Sequence, residues 1–117
     1  MIVWDDKQPI YIQLADRLSG QLLDGQLREG APMPSVRNLA SDYLLNPLTV
    51  SRSLKVLQDA GLLQNRRGQG LYVEVGARSQ LLQRSRKRFI EEEWPLILER
   101  LRLLQIRPDQ LSWEEDV

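Results

Sequence analysis

Apolar residues recur at three- and four-residue spacing at Tyr11, Leu14, Leu18 and Leu22, the period of a helix with one buried face. Pro9 suits the first helical turn, where its missing N–H would lack a partner anyway. Gly25 tolerates the left-handed conformation just past a helix end. The residues before Pro9, MIVWDDKQ, show no period and read as an arm. Two glycines and two prolines in Gly25–Pro34, GQLREGAPMP, predict a loop. A short second helix follows, with Ser35 as its cap, Val36, Leu39, Ala40 and Tyr43 as its inner face, and Leu44 and Leu45 at its end. Asn46-Pro47 then reads as a cap and a first helical residue. Val50, Leu54 and Leu57 face inward along this third helix, and Ala60-Gly61 stops it. Two strand-like runs, Leu62 to Asn65 and Leu71 to Val75, flank Arg66-Arg67-Gly68-Gln69-Gly70, which reads as a hairpin tip.

Helix, helix, tight turn, helix and hairpin, in that order, is the plan of a winged helix-turn-helix, in which the second helix of the turn enters the major groove. From about Gly76 the composition changes. Residues 77–107 hold no glycine and a single proline, Pro95. Ile90, Trp94, Ile97, Leu101 and Leu104 are spaced as a heptad seam, and Leu82, Phe89, Leu96 and Leu103 repeat every seven beside it. An exposed helix with two apolar stripes needs a partner surface. Pro95 removes one intrahelical hydrogen bond, which predicts a kink or break and two helical pieces. The acidic end, residues 112–117, reads as frayed. The expected fold is thus mostly α: an α+β winged helix-turn-helix over 1–75 with a two-stranded wing, then a short helical C-terminal dimerisation tail over 76–117.

The chain has 117 residues, 42% of them hydrophobic and 27% charged, which suits one globular domain with an appendage. It has no Cys and no His. Disulfides, thiolate nucleophiles, imidazole bases and the usual zinc sites are therefore excluded, and no cofactor or metal is expected. Glu91-Glu92-Glu93 is a run of carboxylates, but neighbours on a helix point in different directions and cannot form one site. The apolar runs are too short for a membrane span, and no signal peptide opens the chain. A cytoplasmic binding protein is expected rather than an enzyme.

Net charge is zero, with 16 basic and 16 acidic residues, so the balance alone does not point to nucleic acid. Its distribution says more. Between Arg37 and Tyr72 stand Arg37, Arg52, Lys55, Arg66 and Arg67 against Asp42 and Asp59. Asn46, Thr49, Ser51 and Arg52 cluster in the first two turns of the third helix, the part of a recognition helix that reaches base edges. Arg suits guanine bidentately and Asn suits adenine, while Ser and Thr reach phosphates or several bases. Asn46 is also a plain cap, and Thr49 also fits a half-buried helix position. Arg52 has no role on an apolar face. Ser35 and Arg37 open the second helix, whose free N–H groups attract phosphate; Ser35 serves equally as a cap, and Arg37 as the ion-pair partner of Asp42 or another carboxylate. Arg66, Arg67 and Gly68 would bring a guanidinium to a minor groove, although a charged hairpin tip also needs no ligand.

These residues resemble the GntR-type bacterial transcription regulators. The match is carried by Pro9-Ile10-Tyr11, Gly25-x-Leu27-x-x-Gly30, Pro34-Ser35-Val36-Arg37-x-Leu39-Ala40, Asn46-Pro47-x-Thr49-Val50-x-Arg52, Gly61-Leu62 and Arg67-Gly68-x-Gly70-x-x-Val73, across about residues 2–75. The arm Ile2-Val3-Trp4-Asp5 also looks like the start of that domain. A short helical tail is similar to the YtrA-type subgroup, where it is understood to make the dimer. The resemblance implies DNA contacts at Ser35, Arg37, Asn46, Thr49, Arg52, Arg67 and Gly68. Met33 stands where Leu is usual, Ser53 where Ala is usual, and Leu48 where a polar residue is common. Leu48 therefore either loses a polar contact or touches a thymine methyl group.

The expected function is a sequence-specific regulator, a repressor, binding double-stranded DNA as a homodimer on an inverted repeat and residing on the nucleoid when bound. The tail residues expected at the dimer interface are Leu82, Phe89, Ile90, Trp94, Ile97, Leu101 and Leu104. The resemblance implies a transporter operon as target. A small-molecule effector would sit in an apolar groove between the tail and the winged domain or at the dimer interface, with Trp94 and Trp113 as candidate lining, although both also suit simple packing. The alternative is a non-specific architectural or protein-interaction module, which the neutral charge favours.

Overall fold

The computed structural model describes residues 2–114. Two compact units divide between Leu82 and Gln83.

The first unit builds on three helices. α1 spans Ile10–Leu23, and Pro9 precedes it as its cap. Its heptad-like face buries Leu14, Leu18 and Leu22, while Tyr11 is half-buried. Gly25, at φ 89°, turns the chain past the helix end. α2 spans Val36–Tyr43, with the Ser35 hydroxyl accepting from the Asn38 N–H at 3.0 Å. Leu44 ends it in the left-handed region at φ 54°, which lets the Leu45 N–H reach back to the Ala40 carbonyl at 3.0 Å. α3 spans Pro47–Asp59 behind Asn46, whose side-chain oxygen accepts from the Leu48 N–H at 2.8 Å.

Val50, Leu54 and Leu57 of α3 are buried with the α1 face, Leu39, Met33 and the wing residues Leu62, Leu63 and Val73. Ser53 is wholly buried among them. Its hydroxyl lies 2.8 Å from the Tyr11 carbonyl and 3.1 Å from the Thr49 carbonyl. Its single proton thus ties α3 to α1, which is more than the modest packing change that a Ser for Ala suggests.

The wing pairs β1, Leu63–Arg66, antiparallel with β2, Gly70–Val73, with Leu63 opposite Val73 and Arg66 opposite Gly70. β1 starts one residue later than the hydrophobic run because Leu62 is taken by the helix cap. Its N–H donates to the Leu57 carbonyl at 3.0 Å, and Gly61 at φ 78° makes that return possible. The loop before α2 is less free than its glycines and prolines suggest. Gly30 and Met33 donate to the carbonyls of Val73 and Leu71, both at 2.8 Å, and Val73 donates to Ala31 at 2.9 Å. Pro32, which has no N–H to offer, bridges Tyr72 from this outer edge.

The arm also folds back. Trp4 packs partly buried against the core, 6.2 Å from the Tyr43 ring. The Gln13 side chain accepts from the Asp5 N–H and donates to the Asp5 and Gln8 carbonyls. Beyond the wing, α4 spans Ala77–Arg88, and its first turns belong to this unit. Ala77 is fully buried, Arg78 Nε donates to the Leu23 carbonyl at 2.8 Å, and Glu29 accepts from the Arg78 N–H at 3.0 Å.

In the second unit, Phe89–Glu93 form a π-helical turn and Trp94–Leu103 form α5. The expected interruption at Pro95 takes this form, just ahead of the proline. Pro95 has no N–H for the carbonyl four residues back and its ring crowds that carbonyl. Widening the preceding turn relieves both demands, and the Trp94 N–H bonds to the Phe89 carbonyl instead. A π turn inserts one residue, about 100° of rotation at α-helical spacing, so Phe89 and Leu96 do not continue one straight stripe. A 3-10 turn at Pro108–Gln110 follows. Of the acidic end, residues 115–117 lie outside the described residues, as does Met1 of the arm. No helix among the described residues is long and apolar enough to cross a membrane.

Candidate nucleic-acid interface

α3 has two unlike faces. Its inner one is the buried row Val50, Ser53, Leu54 and Leu57, and its outer one leaves Asn46, Leu48, Ser51, Arg52 and Lys55 exposed. Four of these outer residues (Leu48, Ser51, Arg52 and Lys55) line an open groove of about 500 Å³ together with Tyr11, Val56 and Asp59. Thr49 is half-buried. Apolar pressure on one side of the helix thus orients a polar start and its neighbours outward.

Each cap retains polar capacity. Asn46 spends its side-chain oxygen on the Leu48 N–H and keeps its NH₂ group, on an exposed residue. Ser35 likewise accepts the Asn38 N–H and keeps a hydroxyl proton to donate. Arg37, one residue into α2, is exposed and makes no ion pair among the described residues; Asp42 is not its partner. A cleft of about 300 Å³ is lined by Ser35 and Val36 on one side and Gln69, Gly70 and Leu71 on the other, so the start of α2 and the root of the wing tip stand together.

The tip itself is a tight turn. Gln69 N–H bonds to the Arg66 carbonyl at 2.8 Å, with Gly68 at φ 75° in the turn position that requires a positive φ. Arg67 and Gly68 are fully on the outside of the wing, and Arg66 is half-buried. Arg66 stacks on the Tyr72 ring, 3.9 Å from its centroid, and its Nε donates to Gln64 at 3.2 Å. Arg52 stacks similarly on Tyr11, 4.1 Å from the centroid.

The local charge survives folding with one reduction. Lys55 pairs with Asp59 at 3.0 Å one turn along α3, leaving Arg37, Arg52, Arg66 and Arg67 as the outward cations of this region, with Asp42 opposing. Tyr11 and Tyr72 were not among the expected site residues, since the pattern of α1 gives Tyr11 to the core.

Of the expected interface residues in the tail, Phe89, Ile90, Trp94, Ile97 and Leu104 are exposed and Leu101 is half-buried. Leu82 is half-buried and falls in the winged unit. Of the carboxylate run, Glu92 pairs with Arg88 one turn before it, Nε to carboxylate oxygen at 3.3 Å. Trp113 is 97% exposed, so it encloses nothing among the described residues.

Comparison with known proteins agrees with this geometry. Residues 10–73 match the profile described as "Bacterial regulatory proteins, gntR family". The chain is 36% identical over 75 residues to the HTH-type transcriptional repressor YtrA of Bacillus subtilis, covering 64% of this chain and 58% of that one. It therefore spans less than two thirds of that relative's length. Among solved structures, a GntR family transcriptional regulator from Listeria monocytogenes superposes with a TM-score of 0.75 at 26% identity, covering 92% of each chain. A GntR-family regulator of Bacteroides thetaiotaomicron gives 0.68 at 35% identity, over 85% of this chain and 87% of that one.

Proposed function

The chain belongs to the gntR family of bacterial regulatory proteins, and from that premise we propose that it is a cytoplasmic, DNA-binding transcription regulator of YtrA type. It acts as a homodimeric repressor on an inverted repeat, and sits on the nucleoid when bound. The observation that carries the reading is the two-faced α3: a buried row seats the helix, and its polar N-terminal turns face outward.

In this reading, residues 1–75 bind DNA. The start of α2 takes a phosphate through the Ser35 hydroxyl, the free N–H groups of the first turn and Arg37. That contact fixes the register of α3, whose Asn46, Thr49, Ser51 and Arg52 read base edges, with Leu48 against a thymine methyl group. Arg66, Arg67 and Gly68 track the adjacent minor groove, where a narrow A·T stretch attracts guanidinium. Residues 76–117 make the dimer: Phe89, Ile90, Trp94, Ile97, Leu101 and Leu104, with Leu82 at the near end, bury one another across a two-fold axis. The name of the YtrA relative supports repression. A transporter operon beside the gene is the corresponding target.

Footprinting on the DNA upstream of the gene tests this. The expected result is a protected inverted repeat whose half-sites lie about 34–36 Å apart or a multiple of that. Equal affinity for unrelated duplexes by a folded dimer would replace the reading with the non-specific architectural one.

A further inference from the structure

We propose that Tyr11 is a positioning residue for DNA recognition: its ring holds the Arg52 guanidinium in a fixed plane, with the N–H edge free for a base. The inference rests on the proposed contact between Arg52 and DNA. The guanidinium carbon of Arg52 lies 4.1 Å from the centroid of the Tyr11 ring. Stacking occupies the face of a guanidinium and leaves its donors, which lie in the plane, available at the rim. Among the described residues, the Arg52 side chain donates no hydrogen bond and makes no ion pair, so this rim is unspent. Arg66 on Tyr72 differs in this respect, since its Nε is given to Gln64.

The support beneath the ring is also fixed. Ser53, the residue after Arg52 and wholly buried, lies within hydrogen-bond distance of the Tyr11 main-chain carbonyl at 2.8 Å. The platform and the arginine are therefore pinned to each other by a bond independent of the Tyr11 side chain. A long, exposed arginine otherwise has many rotamers to give up on binding. The stack settles part of that ordering before DNA arrives, which raises affinity without a contact between Tyr11 and the duplex.

The test uses a duplex selected by the wild-type protein from a random pool. Tyr11→Leu is expected to weaken binding about two- to fivefold, the size of an exposed stack, and to lose discrimination at the same base pair as Arg52→Ala. Tyr11→Phe keeps the ring and is expected to bind like wild type. In an Arg52→Ala background, Tyr11→Leu should change nothing further. A loss of equal size in that background makes Tyr11 merely structural and overturns the inference. If Arg52→Ala leaves affinity and base preference untouched, the DNA-contact reading fails, and the positioning role fails with it. Nitrogen-15 relaxation at Arg52 Nε in the free wild-type protein needs no variant to fold. Order clearly above that of the exposed Arg37 supports the stack, and equal mobility overturns it.

Discussion

Replacing Ile90 with serine separates the tail from the winged unit and puts a number on its role in pairing. Ile90 lies in the π turn and 61% of its surface is exposed within one chain. Full burial of an isoleucine side chain stabilises by about 1.5–3 kcal/mol, so covering the part that one chain leaves open contributes about 0.9–1.8 kcal/mol. A two-fold interface contains each residue twice, which brings the loss in Ile90→Ser to about 2–4 kcal/mol per dimer. At 1.4 kcal/mol per decade this is about 30- to 700-fold in the dimer dissociation constant. Sedimentation velocity over a concentration series reads that change directly. Circular dichroism should stay at the wild-type level, because an already exposed side chain is being replaced. Operator binding should weaken in parallel, since a monomer holds only one half-site. A dissociation constant within threefold of wild type, in a protein of unchanged helicity, would refute the placement of this face between two copies.

Three further outcomes follow from single contacts. Ser53→Ala should lower stability by about 0.5–1.5 kcal/mol, the net value of one hydrogen bond, because the hydroxyl tying α3 to α1 is lost while the carbonyls keep their helical partners; an unchanged thermal midpoint would show that burying the hydroxyl costs as much as its bond returns. Leu44→Gly should raise stability by about 0.5–1 kcal/mol by chemical denaturation, since it relieves a left-handed leucine at φ 54° whose side chain is 90% exposed; a decrease would mean that the leucine side chain contributes packing that outweighs the strain. Arg37→Ala should weaken binding to all duplexes alike and reduce the slope of log affinity against log salt by about 1, and an unchanged slope would remove Arg37 from the phosphate contacts.

The winged helix-turn-helix was legible because its signals are local. Helical spacing at Leu14, Leu18 and Leu22, the caps at Ser35 and Asn46, and the glycines at the hairpin each act within a few residues of themselves. The outward position of Ser51 and Arg52 follows from the same periodicity, once Val50, Leu54 and Leu57 are assigned inward. What depends on residues far apart in the chain was decided by tertiary structure. Tyr11 meets Arg52 only because α1 and α3 cross, and Ser53 reaches a carbonyl 42 positions away for the same reason. The loop before α2 became a third edge on the wing when Val73 arrived beside it. Periodicity identified the apolar tail, but it assumes 3.6 residues per turn throughout, and the π turn ahead of Pro95 broke that assumption. Sequence alone specified which elements form and which faces are apolar. Packing determined which side chains meet across them, because those contacts depend on distances that no local spacing encodes.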